Sequence, residues 1–240
     1  MQIVCATGYY VHDAHPPEVA TMTTDEIAAH MVRELTIGID GTEVRAGVIG
    51  EIGTSDPLHP EEVRVLQAAA AASRATGAAV TLHLAETARL GHEILDILEA
   101  GGVDPAHVIM GHSSGPAPDL DYLSALARRG AYVQFDFFGV TWRNDDLSEH
   151  LGYHFPPPCS DEVVVGVIVD LVRAGRGERI LLSHDTCLKS QLVRYGGDGY
   201  AHVLHAIVPQ LRWCGLTEAE VDAILVANPR RVLAWSKAAY

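Results

Sequence analysis

The stretch RILLSHDT, residues 179–186, decides how the chain is read. Its apolar run, Ile180, Leu181 and Leu182, has the length and character of a strand buried on both faces. The run then delivers Ser183, His184 and Asp185. A carboxylate ending a core strand needs a partner, because burying an unpaired charge is costly. The pattern recurs upstream: GVIGEIG carries Glu51, AVTLHLAE carries His83, HVIMGHSS carries His112 and AYVQFDFF carries Asp136. Each of these runs brings a metal-ligand or acid–base residue to its C-terminal end. In parallel α/β folds that edge is where sites are built.

The β-rich runs fall at 2–7, 46–52, 79–84, 108–111, 131–135 and 179–183. Between them, segments with apolar residues three and four apart predict helices over 24–37, 60–76, 90–100, 120–129, 161–174 and 200–214, with a last one over 218–227. Thr24 is the expected N-cap of the first helix, and Pro60 opens the second with Glu61 and Glu62 in its first turn. Gly77, Gly101 and Gly130 read as helix stops. Strand–helix alternation predicts an α/β protein with a parallel sheet, and no composition break marks a second domain. The periodicity alone leaves an open doubly wound sheet and a barrel both standing. ATGYY lacks the GxGxxG of a dinucleotide fold. Residues 139–160 read as one long irregular loop rich in proline, histidine and acidic residues.

The chain has 240 residues, 48% of them hydrophobic, enough for a sizeable core. A net charge of −14 argues against a nucleic-acid or anionic-membrane partner, since both require a basic face. No apolar run approaches the ~20 residues of a membrane span. MQIVCATGYY has no signal-peptide pattern, and the 4 cysteines lack CxxC spacing, which suits reduced thiols. The expectation is a cytoplasmic protein acting on a small molecule.

A single histidine at a strand end is more often a hydrogen-bonded core residue than a ligand. Buried Asp and Glu without partners are rare, so Glu51 and Asp185 make a shared cation the better reading of the set Glu51, His83, His112 and Asp185. Asp136 reads equally as a residue that caps or orients a neighbour. His12 and His15, in VHDAH, read as loop residues.

Several motifs together resemble the phosphotriesterase family of the amidohydrolase superfamily, including the phosphotriesterase-related proteins. They are TGYY, GIDGTEVRAGVIGEIGTSDPL, AVTLHLAE, VIMGHS, GAYVQFD, RILLSHD, YGGDGY and the closing NP, and they extend over essentially the whole chain. The resemblance implies a TIM (β/α)8-type barrel, here one domain over 1–240 made of about six βα units matching strands 3 to 8. It implies two divalent metals per site, with zinc the expected ion, and a metal-activated hydroxide attacking an ester-type bond. It also implies roles. Glu51 bridges the metals where many relatives carry a modified lysine. His83 and His112 bind the more exposed metal. Asp185 binds the other and accepts the proton. Tyr10, Trp142 and Arg143 are the expected substrate contacts, and a homodimer is left open.

The chain departs from the family pattern in having no HxH pair. Three explanations stand: a mis-called start, a truncated and inactive remnant that binds metal or ligand, or completion of the barrel by another chain. The GEIGTSDPL and FDFFG stretches lean toward the phosphotriesterase-related branch, which makes an N-acyl amide the alternative substrate. Phe137 stands where lactonase-like relatives usually carry arginine.

Overall fold

In the computed structural model of the protein, residues 3–85, 89–115, 117–140 and 159–235 are described. They divide into two compact units: Met1–Gly111 with Arg129–Tyr132 and Pro229–Tyr240, and His112–Arg128 with Val133–Asn228.

The first unit follows the expected alternation. It holds β1 (Cys5–Thr7), α1 (Thr24–Thr36), β2 (Ala46–Gly53), α2 (Pro60–Thr76), β3 (Val80–His83), α3 (Gly91–Ala100) and β4 (Val108–Met110). The strands pair in parallel, β1 with β2, β2 with β3 and β3 with β4. Ile49, Ile52, Val80 and Leu82 of the strands are fully buried, as are Val65, Leu66 and Ala68–Ala70 of α2. The alanine run of α2 leaves room for close packing on both sides of that helix. Thr23, not Thr24, is the N-cap of α1: its hydroxyl accepts from Glu26 N–H, and Glu26 reaches back to Thr23 N–H at 2.8 Å. The Thr23/Glu26 spacing makes a reciprocal capping box, which shifts the cap by one residue. At the other end of α2, Gly77 takes the left-handed conformation (φ 81°) that stops the helix, as its position predicts.

The second unit holds most of α4 (Leu120–Arg129), then β5 (Tyr132–Phe135), α5 (Asp161–Arg173) and β6 (Ile180–Leu182). β5 and β6 are parallel, in the register Val133–Ile180, Gln134–Leu181 and Phe135–Leu182. The helices expected over 200–214 and 218–227 are not uniform. Each contains a π-helical stretch, Val203–Ile207 and Ala223–Ala227, leading into α6 (Val208–Trp213) and, past α7 (Glu218–Asp222), into α8 (Asn228–Leu233). The N–H groups closing the two widened turns come from Val208 and Asn228, each directly before a proline. Proline cannot donate the next regular bond, so a wide turn placed there re-pairs the ladder. Asn228, the last residue of the second unit, also donates its side-chain amide to Gly177 and Ile180 carbonyls at 2.8 and 2.9 Å, at the start of β6. Among the described residues no helix is long and apolar enough to cross a membrane.

Candidate metal centre

In the first unit, Glu51 lies on β2 and His83 ends β3, both half-buried. Their ligand-type atoms lie within 4.8 Å of each other. Two glycines make this possible. A Cβ on Gly50 would stand 2.2 Å from Thr81 O, so only glycine lets β2 approach β3 one residue before Glu51. A Cβ on Gly53 would stand 2.0 Å from Val11 N, so glycine also admits the 9–11 segment onto the end of β2, where Gly53 N donates to Tyr9 O at 3.1 Å. That segment carries Tyr10, whose hydroxyl is 2.9 Å from His83 Nδ1, with ring centroids 4.5 Å apart. Buried Thr54 fixes the strand end from behind, donating through N–H and Oγ1 to His83 O at 3.1 and 2.7 Å. An imidazole and a carboxylate so placed fit a divalent cation of the zinc type.

A buried carboxylate organises the loop behind them. Glu62 has no exposed surface and accepts from the N–H groups of His12 (3.0 Å), Ser55 (2.9 Å) and His59 (3.0 Å) and from Ser55 Oγ (2.6 Å). Burial pushes its pKa up, but the hydrogen bonds from Ser55, His12 and His59 outweigh that and hold it below the usual carboxylate value. The sequence shows Glu62 only as one of two acids in a helix first turn. Its position three residues after the His59 cap is the one available signal.

In the second unit, His112 is 5% exposed and sits in the left-handed region (φ 56°). Its N–H donates to both oxygens of Asp136, at 3.1 and 2.9 Å, and its Nδ1 lies 3.1 Å from Asp136 Oδ1. An ionised carboxylate only accepts, so Nδ1 carries the proton and Nε2 presents its lone pair. Gln134 Nε2 steadies Asp136 at 2.9 Å, and Phe137 stacks on the imidazole with centroids 4.6 Å apart. Asp136 is therefore the orienting residue of the two readings its sequence left open. Phe137 is a packing partner of His112 that the sequence did not reveal.

Asp185 follows β6, also in the left-handed region (φ 42°). Burial raises its pKa; His112 pulls it down only in its protonated form, and the Asp136 charge pushes it up. Its carbonyl accepts from Cys187 N–H and Gln191 Nε2, both at 2.9 Å, which pins the turn. Two non-glycine residues in a costly conformation, both at strand ends, mark positions that the surrounding structure holds in place. His184 has a different task. Its Nε2 accepts Val203 N–H at 2.9 Å, and burial lowers its pKa, so it is a neutral structural residue. In YGGDGY, Gly197 packs where a Cβ would be 2.3 Å from Gln191 backbone, so the segment folds back on the turn after β6.

The structure thus brings Tyr10, Glu51 and His83 together in one unit and His112 and Asp185 in the other. Trp142 and Arg143 lie outside the described residues.

Residues 1–233 match the model of the phosphotriesterase family. A phosphotriesterase-related protein of Nematostella vectensis is 37% identical over 96% of this chain and 64% of its own length. The N-acetyltaurine hydrolase of Danio rerio is 37% identical over 97% of this chain and 65% of its own length. Among solved structures, a resiniferatoxin-binding protein from Rhodobacter sphaeroides superposes with a TM-score of 0.91 at 39% identity, covering 97% of this chain and 63% of that one. The phosphotriesterase homology protein of Escherichia coli, complexed with phosphate in its active site, gives 0.87 at 36%, covering 98% and 75%. The chain spans about two thirds of the length of these curated relatives.

Proposed function

Because the chain belongs to the phosphotriesterase family, with the parallel α/β fold of its barrels, we propose that it is a divalent-metal-dependent hydrolase of N-acyl amides. Glu51, His83, His112 and Asp185 are the proposed ligands that would hold divalent metal, with zinc the preferred ion. The single observation that carries the metal reading is His112. A buried carboxylate fixes its tautomer with the lone pair on Nε2, the arrangement that metal-ligating histidines use. The amide reading rests on relatives named N-acetyltaurine hydrolase in Danio rerio, Dictyostelium discoideum and Homo sapiens, 34 to 37% identical over 97% of this chain. It replaces an ester-type bond as the leading assignment, because no such bond is named for those relatives.

A bound divalent ion supplies polarisation of the scissile carbonyl and a lowered pKa for water. The protein's own groups do the rest. Asp185, with a carboxyl raised by burial, is suited to take a proton from the attacking water and return it to the departing amine. The net change adds one water across the C–N bond and yields a carboxylic acid and an amine. Asp136 and Phe137 keep His112 from rotating. Tyr10, its hydroxyl on His83, is the proposed substrate contact.

The test is hydrolysis of N-acetyltaurine by the zinc-loaded protein, followed as release of taurine, beside a lactone and an aryl ester. Taurine release abolished by a chelator and restored by zinc supports the proposal. Turnover of the ester or lactone alone overturns the amide assignment, and chelator-insensitive turnover overturns the metal assignment.

A further inference from the structure

Three ligand-type side chains of the first unit converge at a second place, and none of them is among the residues assigned above. His12 Nδ1 lies 3.4 Å and His15 Nδ1 3.3 Å from the same oxygen, Glu61 Oε2, and the three groups fall within 4.8 Å of one another. Two ligands each about 2.1 Å from a tetrahedral ion stand about 3.4 Å apart, so the observed separations match the edges of a zinc coordination shell.

The proton positions support the same reading. His15 Nε2 is 2.8 Å from the carbonyl oxygen of Tyr10, which can only accept, so Nε2 carries a proton. In the neutral ring Nδ1 then presents its lone pair toward Glu61 and His12. A lone pair facing a carboxylate is repulsive, so the cation between them is either a proton on Nδ1, shared with Glu61 Oε2 at 3.3 Å, or a metal ion in its place. A ring nitrogen donating to a backbone carbonyl while the other faces the cation is the outer support that histidine ligands generally have. His12 adds an independent sign: its Nδ1 is buried and makes no hydrogen bond among the described residues. The cluster is also held rigid. The His12 ring stacks on His59 with centroids 3.4 Å apart, and His59 Nδ1 accepts Glu61 N–H at 3.2 Å. The His15 side chain is 3% exposed.

We propose that His12, His15 and Glu61 form a second divalent-cation site of the zinc type, three protein ligands with water completing the shell. It joins the 9–15 segment to the start of α2. Since His15 holds the Tyr10 carbonyl and the Tyr10 hydroxyl meets His83, an ion there fixes the position of Tyr10. The site stands whether or not the chain hydrolyses amides.

The experiment uses the full chain carrying His83→Ala, which weakens the strand-end centre. The protein is stripped of metal, dialysed against zinc, freed of excess ion and counted by elemental analysis. About one zinc per chain is expected, falling to near zero at this site when Glu61→Gln or His12→Gln is added. The zinc-induced rise in Tm should disappear with it. Because the His12 side chain is 37% exposed, His12→Gln keeps the test valid if the Glu61 variant fails to fold. No zinc in the His83→Ala protein, or the same zinc content after adding either substitution, overturns the proposal.

Discussion

Two histidines of the proposed centre are held in opposite ways. His112, in the second unit, is buried, backed by an ionised carboxylate and stacked on Phe137. Its tautomer is fixed by chemistry, since Asp136 can only accept. His83, in the first unit, is half-buried and meets the hydroxyl of Tyr10, a group that donates or accepts equally well. One proposed ligand is therefore held in a fixed tautomer, while the other meets a hydroxyl that accepts either. Asp185 belongs with the fixed side, because its carboxyl feels both His112 and Asp136. Within the second unit His112 is held rigid by Asp136 and Phe137, whereas within the first His83 lies beside the proposed substrate contact, Tyr10.

The comparison can be broken by substitution. Asp185→Asn, assayed at saturating zinc, should lower kcat by about 10²- to 10⁴-fold with little change in KM, because it removes a proton acceptor and not a substrate contact. Steady-state kinetics with N-acetyltaurine measures this, and an unchanged kcat removes Asp185 from the chemistry. Asp136→Asn keeps the shape but frees the His112 tautomer, so metal affinity should weaken about 10- to 100-fold in a chelator competition. Glu62→Gln should cost about 2–3 kcal/mol in a denaturant titration, since it disturbs a buried acceptor of charge-assisted hydrogen bonds. Its pH dependence has a definite sign. The folded pKa of Glu62 lies below the unfolded one, so its contribution is present above about pH 4 and is lost as pH falls through the folded value. The Gln variant should lose that acid-side slope. Tyr10→Phe is the mildest change, about 1 kcal/mol or roughly fivefold in zinc affinity. An effect as large as that of Asp136→Asn would mean that His83 is no more adaptable than His112.

The strands and most helices were legible because their apolar periodicity is strong and their ends carry glycine or proline. The five strand-end residues were legible for a related reason: polar groups finishing apolar runs are conspicuous. What escaped were features fixed by contact rather than pattern. Glu61 and Glu62 read alike in sequence, yet Glu62 is a buried acceptor and Glu61 faces two histidines. His12 and His15 read as loop residues because nothing in VHDAH shows that α2 begins beside them. Sequence alone puts the N-cap of α1 one residue late, because Thr23 and Thr24 are equivalent until Glu26 is counted as the partner. Both π-helical stretches precede prolines that a helix pattern alone passes over.

The central claim, that His83 ligates a divalent metal in this protein, is tested most directly by elemental analysis of wild type and His83→Ala purified side by side. The variant should hold at least one divalent ion fewer per chain, with circular dichroism unchanged. Equal metal content in the two folded proteins would contradict it.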